Sequence, residues 1–427
     1  MRVNPGIDGP TQLSSARTRL ALLALALGGF GIGSTEFVAM GLLPNIAHDL
    51  LPQVYAASST DAIAQAGWII SAYALGVVVG APTIAAVAAR LPRKKLLLWL
   101  LVAFTVGTIA SALAPTFGLV LVARFISALP HGAYFGIASL VAASLMGPGK
   151  RGQGVAFVLS GLTIANVIGV PFITWVGQTT NWRVAYLVVA AIFALTFAAV
   201  ALLVPWQAGD PKATLRNELR AFGRLQVWLA LLIGAIGFGG FFAVYTYISP
   251  MVTTVTGLPE SAVPFVLILI GIGMTVGNIL GGRMADRSVE RSMMLFFVVL
   301  LVGLAVLFFT AATLAGLLIS VFVIAGAASA LSPTIQTRLM DVAHDSQSIA
   351  AALNHSALNI ANASGAFLGG LTIAAGFGYV SPVAVGAVLA VAGIVLALVS
   401  FGIDRSRIHR GVDTGVVHAQ RPTVPID

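Results

Sequence analysis

Gly76-Val77-Val78-Val79-Gly80 and Gly273-Met274-Thr275-Val276-Gly277 are one five-residue pattern met twice, and 273 − 76 sets the copies 197 residues apart. Basic residues follow each copy at matching positions, Arg90 and Lys94 after the first and Arg287 and Arg291 after the second. Leu162-Thr163-Ile164-Ala165-Asn166 and Leu358-Asn359-Ile360-Ala361-Asn362 form a second pair, at a separation of 196. Two unrelated segments with nearly one period mean that the chain is built from two copies of one unit.

Hydropathy says what that unit is. Of 427 residues, 58% are hydrophobic and 9% charged, against roughly 25% charged in a soluble domain, and the mean hydropathy is +0.99. Apolar runs long enough to cross a bilayer cover Leu20–Leu43, Ala62–Ala89, Leu96–Leu113, Phe117–Leu145, Gly154–Val176 and Val184–Val204. After a polar gap they resume at Val227–Ile248, Val263–Met284, Met293–Leu314, Gly316–Met340, Ile349–Ala375 and Pro382–Ile403. In lipid the backbone must satisfy its own hydrogen bonds, and none of these runs alternates as a barrel strand does, so each is expected to be an α-helix. The fold class is therefore an all-α polytopic membrane protein of twelve transmembrane helices in two six-helix repeats. The first run is too long for a cleaved signal peptide and lacks a small-residue cleavage site.

Charge gives the topology. Apart from Arg124 and Arg183, all 23 basic residues fall in the N-terminal tail, after every second run, in the gap, or in the C-terminal tail. By the positive-inside rule both termini and the gap are expected in the cytoplasm of a cell with this protein in its inner membrane. The net charge of +9 then reflects topology and the anionic inner leaflet, and no nucleic-acid partner is expected. The expected division is a tail over 1–19, a six-helix bundle over 20–204, a linker over 205–226 with a short amphipathic helix near Leu215–Leu225, a second bundle over 227–403, and a polar, disordered tail over 404–427. Cysteine is absent, which excludes disulfides and thiolate chemistry. No ATP-binding loop occurs, and Gly147-Pro148-Gly149-Lys150 reads as a tight turn. No metal, cofactor or catalytic residue is expected.

An even number of spans per half gives both halves the same orientation, the parallel-repeat plan whose substrate site lies between the repeats near the midplane. Gly282-Arg283-Met284-Ala285-Asp286-Arg287-Ser288-Val289-Glu290-Arg291 resembles the loop signature of the major facilitator superfamily. Arg124-Phe125-Ile126-Ser127-Ala128-Leu129-Pro130-His131-Gly132 resembles its fourth-helix motif with a buried arginine, and Gly161 through Gly169-Val170-Pro171 to Gly177 its antiporter pattern. Gly33-Ser34-Thr35-Glu36-Phe37 followed by Met40-Gly41-Leu42-Leu43-Pro44 is similar to the first helix of the arabinose-efflux-permease-like branch of the drug:proton antiporters. The resemblance implies a cytoplasmic gate built from Arg90, Arg93, Asp286, Arg287 and Arg291. Ala89 stands where the superfamily usually has aspartate, so the acidic part of that gate rests on Asp286.

Glu36 is the sharpest single residue. A charged side chain at membrane depth costs about 2.5–3.5 kcal/mol on insertion scales, which asks for a function or a partner. At 1.5 Å per residue it lies about 24 Å from the basic side and Arg124 about 10 Å below the opposite side, so in a core of about 30 Å their depths agree. The expectation is a protonatable Glu36 paired with Arg124, directly or through one water. The structural alternatives are a permanent ion pair or an arginine capping backbone carbonyls. His131, seven residues after Arg124, shares its helix face as a proton relay or cavity ligand, or as a neutral histidine bonded to a neighbour. His355, Asn166 and Asn362 are cavity candidates, although buried amides also glue helices together. Tyr245 and Tyr247 are a gate or an interfacial aromatic belt, with the belt favoured.

The function expected from these features is secondary active export of a small organic molecule (drug, sugar or metabolite) in exchange for protons. The partners are the substrate, protons and the lipid bilayer, with the chain working as a monomer. A proton-independent facilitator or importer with the same fold is the alternative.

Overall fold

The computed structural model describes residues 14–88, 91–147, 151–208, 223–343 and 347–409. Twelve helices among them are long and apolar enough to cross a membrane. Spans one to six are Ser15–Gly41, Ser59–Ala81, Arg93–Leu113, Phe117–Met146, Gln153–Thr179 and Trp182–Leu203. Spans seven to twelve are Leu225–Thr246, Glu260–Ala285, Val289–Thr310, Leu314–Ala343, Leu353–Phe377 and Ser381–Ser406. Every expected run is present, and the architecture is the two parallel six-helix repeats. The expected linker helix falls mostly outside the described residues, as does the tail beyond 409; residues 404–409, expected in a disordered tail, instead continue the last helix, Ser381–His409.

Spans four, five, seven and eleven are not uniform α-helices. Span four stops at Ala128 and restarts at His131, because Pro130 has no N–H to continue the ladder. Spans five, seven and eleven each carry a five-residue π segment, Ala165–Gly169, Ile233–Gly237 and Ile373–Phe377. The first lies immediately before Val170-Pro171, where the missing proline N–H again loosens the ladder.

The repeat is legible at the level of single carbonyls. A Cβ on Gly76 would overlap the carbonyl oxygen of Phe125, and one on Gly80 that of Leu129. Adding 197 to all four gives Gly273 against the carbonyl of Phe322 and Gly277 against that of Gly326, and both overlaps recur. Spans two and four therefore pack backbone on backbone, and spans eight and ten do so in the same way. This is the close approach for which small residues are used in membrane helices.

Between the halves, span five packs on span eight and span two on span eleven. The Gln178 amide donates to the Glu260 carbonyl at 3.3 Å and the Ser71 hydroxyl to the Ala363 carbonyl at 3.0 Å. These bonds lie toward the end opposite the basic loops, called here the far end. Tyr247, just past span seven, closes the same level, with its hydroxyl on the Ala366 carbonyl at 2.8 Å and its ring against Gly67 and Gly370. At the basic end Asp286, Arg287 and Arg291 are exposed. The far end is closed, and Asp286, Arg287 and Arg291 at the basic end face solvent.

Candidate functional site

Span one is among the most enclosed of the helices. Gly28, Gly29, Gly31 and Gly33 let Tyr134, Phe193 and span five press against its backbone. This packing carries Thr35 and Glu36 into the middle of the molecule, both buried.

Arg124 meets span one at the expected depth but not at the expected residue. Its guanidinium donates to the Thr35 hydroxyl and the Thr35 carbonyl, each at 3.0 Å, and lies 4.1 Å from the centre of the Tyr73 ring and 5.3 Å from that of Tyr186. Glu36 and Arg124 form no ion pair, and the direct pairing expected from depth is corrected here. Consecutive helical residues point about 100° apart. When Thr35 faces span four, Glu36 is turned to the other half of the molecule, where its Oε1 accepts from Asn362 Nδ2 at 3.3 Å. Of the two structural alternatives, carbonyl capping describes Arg124 and the permanent ion pair does not. Arg183, by contrast, pairs with Asp49 at 3.0 Å at the far end.

His131 and Arg124 share a face despite the break between them, because both touch Tyr73. The guanidinium stacks on the Tyr73 ring, and the Tyr73 hydroxyl is 3.3 Å from His131 Nδ1. Phe135, one turn further, stacks on His355 of span eleven with ring centres 5.7 Å apart and planes 3° from parallel. The Phe37 ring lies 5.6 Å from that of Tyr245 and 6.5 Å from that of Phe242. Glu36, Arg124, Asn362 and Tyr245 are thus gathered around one level, with His131 joined to it through Tyr73 and His355 reached through Phe135.

Asn166 does not join them. Its amide donates back to the Leu162 carbonyl of its own span at 3.1 Å, and its backbone packs on Gly271 of span eight. The belt reading of Tyr245 and Tyr247 is also corrected, since both rings are buried in the protein, 1% and 0% exposed, and a belt residue must reach the lipid headgroups. Residues missed in the sequence are Thr35, Tyr73, Tyr186 and Asn359. Asn359 had a signal, since His355, Asn359 and Asn362 follow helical spacing on one face of span eleven, and its amide donates to the His355 carbonyl at 3.0 Å. For Tyr186 nothing in the sequence separates it from other span-six aromatics.

Of the expected gate, Arg90 lies outside the described residues. Arg93 opens span three with its N–H on the Gln207 carbonyl at 3.0 Å. The Asp286 carboxylate ends span eight exposed and, among the described residues, without an ion pair.

A membrane body of two parallel six-helix repeats with a buried carboxyl between them defines a class of solute carriers. The family profile described as Major Facilitator Superfamily matches residues 25–346 and 256–424, and the chain belongs to that superfamily. It is a transporter and not an enzyme. The chain is 39% identical over 378 residues, 88% of its length and 94% of the relative's, to the "Inner membrane transport protein YdhP" of Escherichia coli strain K12. It is 32% identical over 381 residues, 88% of its length and 95% of the relative's, to the "Chloramphenicol resistance protein" of Streptomyces lividans. The crystal structure of a D-xylose-proton symporter superposes with a TM-score of 0.71 at 18% identity, covering 90% of this chain and 97% of that one.

Proposed function

We propose that the chain exports a small organic molecule in exchange for protons, by rocking its two halves about a site at their interface. The observation that carries this reading is a Glu36 carboxyl buried between the halves with no ion pair among the described residues, because the neighbouring arginine is committed to Thr35. A carboxyl locked to a cation cannot change its charge without breaking the pair; this one is free to load and release a proton as access alternates.

Arg124 holds span one against span four, and His131 reaches the same level through the Tyr73 hydroxyl. His355, Tyr245 and Asn362 line the path of the substrate. Arg90, Arg93, Asp286, Arg287 and Arg291 form the gate at the basic end, which the positive-inside rule puts in the cytoplasm. Both termini then lie inside, and the far end faces outward. One proton moving inward down 100 mV releases about 2.3 kcal/mol, about fifty-fold in substrate ratio. One titrating carboxyl therefore suffices for export. The resistance protein among the relatives supports the outward direction.

The test is a screen in an efflux-deficient host against amphipathic drugs and sugars, with and without a protonophore. Expression is expected to lower accumulation of at least one compound, and the protonophore to abolish that effect. An effect indifferent to the protonophore would leave the proton-independent facilitator instead.

A further inference from the structure

We infer that Asn362 is the positioning residue through which the second half of the molecule reads whether Glu36 carries a proton, and that the pair latches the far end shut when it does. This inference rests on the proton-coupled reading above and assigns Asn362 a task beyond lining the substrate path.

The bond between Glu36 and Asn362 crosses from span one to span eleven, so it exists only while those spans are together. It is half of what the two groups can make. Asn362 is 1% exposed, and its Oδ1 has no donor, while its Nδ2 serves Glu36 Oε1. A buried acceptor left without a partner is costly, and an ionised carboxylate has no hydrogen to offer it. A protonated carboxyl does. Its O–H donates to Oδ1 while the amide N–H donates to the other carboxyl oxygen, closing a two-bond ring between the halves. The proton comes from solvent on the far side and returns to solvent at the basic end, with no other group consumed.

The surroundings offer no competing reader. Span four contributes Arg124, committed to Thr35, and spans two and six contribute Tyr73 and Tyr186, whose rings stack on that guanidinium. Span seven brings Tyr245, against Phe37. His131 and His355 lie one layer toward the basic end, on either side of Phe135. Spans five and eight place no charged side chain at this level. The repeat counterpart Asn166 is turned onto its own helix, so the latch has no twin. In the exchange cycle the sign is the useful one. A proton collected from the far side closes that side for the return, and its loss at the basic end halves the latch before the substrate-loaded step.

The chain has no cysteine, so spin labels can be placed directly. Thr180 and Glu260, both exposed at the far end, are replaced as Thr180→Cys and Glu260→Cys in the full chain, reconstituted in lipid nanodiscs. Their distance distribution is read by pulsed electron resonance from mildly acidic to mildly alkaline pH. The short, closed distance is expected to dominate in acid and a longer one to grow on alkalinisation. Glu36→Gln, whose amide can both donate and accept, should stay closed at every pH.

Asn362→Leu should lower the closed-to-open ratio in acid by about five- to hundredfold, the weight of the two hydrogen bonds of the ring, and flatten the pH profile. Asn362→Asp, which latches only while the two carboxyls share a proton, should restore pH dependence; it also carries the test if the leucine variant does not fold. An unchanged profile in Asn362→Leu, no pH dependence in the parent, or a flat profile in Asn362→Asp overturns the latch. Failure of proton coupling itself shows separately, as a parent chain whose transport ignores the protonophore.

Discussion

Adding 197 to Tyr73, Arg124 and His131 gives Ile270, Val321 and Ala328. At positions where the first half stacks an arginine on a tyrosine and bonds that tyrosine to a histidine, the second half has three apolar side chains. Span seven, which corresponds to span one, holds no aspartate, glutamate, lysine or arginine. Yet the glycines that set how spans two and four approach recur in spans eight and ten against the same carbonyls. The repeat therefore specifies how helices meet and leaves open what they carry. At the basic end the division is reversed, since the second half has Asp286 where the first has Ala89.

The largest expected effect breaks or keeps the assignment of chemistry to the first half. Glu36→Gln should abolish proton-driven uptake into inverted vesicles while leaving substrate binding measurable. Substrate-induced alkalinisation as large as in the parent would remove the residue from coupling. Next comes the equivalence of the scaffolds. Gly80→Leu and Gly277→Leu each drive a side chain into a neighbouring carbonyl, and both should lose most folded protein, read as the monodisperse fraction after detergent extraction. Loss in one half alone would show that the two interfaces are not alike.

Arg124→Ala should lower stability by about 3 kcal/mol, from two charge-assisted hydrogen bonds and a stacked ring. Its counterpart Val321→Ala should cost about 1–2 kcal/mol as a cavity. Equal thermal shifts would deny the asymmetry. Smallest is the gate, where Asp286→Asn should slow transport about tenfold, the equivalent of one charge-assisted hydrogen bond. Ala89→Asp should change transport less than about twofold, because the acidic role rests on Asp286, and similar tolerance of both changes would return that role to neither half.

The spans, their pairing into halves and the interface glycines were legible because each rests on a one-dimensional signal: run length, period, and small residues at fixed spacing. Depth is one-dimensional too, and it brought Arg124 to within one residue of its partner. Azimuth is not. Thr35 and Glu36 differ in depth by about 1.5 Å but in direction by about 100°, and only the packing of Gly29 and Gly33 on span five fixes which of them faces Arg124. Tyr245 was misread for a similar reason. An aromatic near a span end can face lipid or protein, and Tyr245 lies behind Phe37 and Phe241, inside the protein.

The glycine seams also have a mechanical meaning. Within each half, backbone lies on backbone with no flexible side chain between, and such a contact tolerates little shear. Across the halves the contacts are mixed: the backbone of Asn166 lies on Gly271 of span eight, while Gln178 on Glu260, Ser71 on Ala363 and Phe135 on His355 are single polar bonds or ring faces, each able to part without disturbing a helix. The molecule is thus two stiff plates whose seam is pinned by one backbone contact, Gly271 on Asn166, and is otherwise made of bonds and ring faces that can part singly.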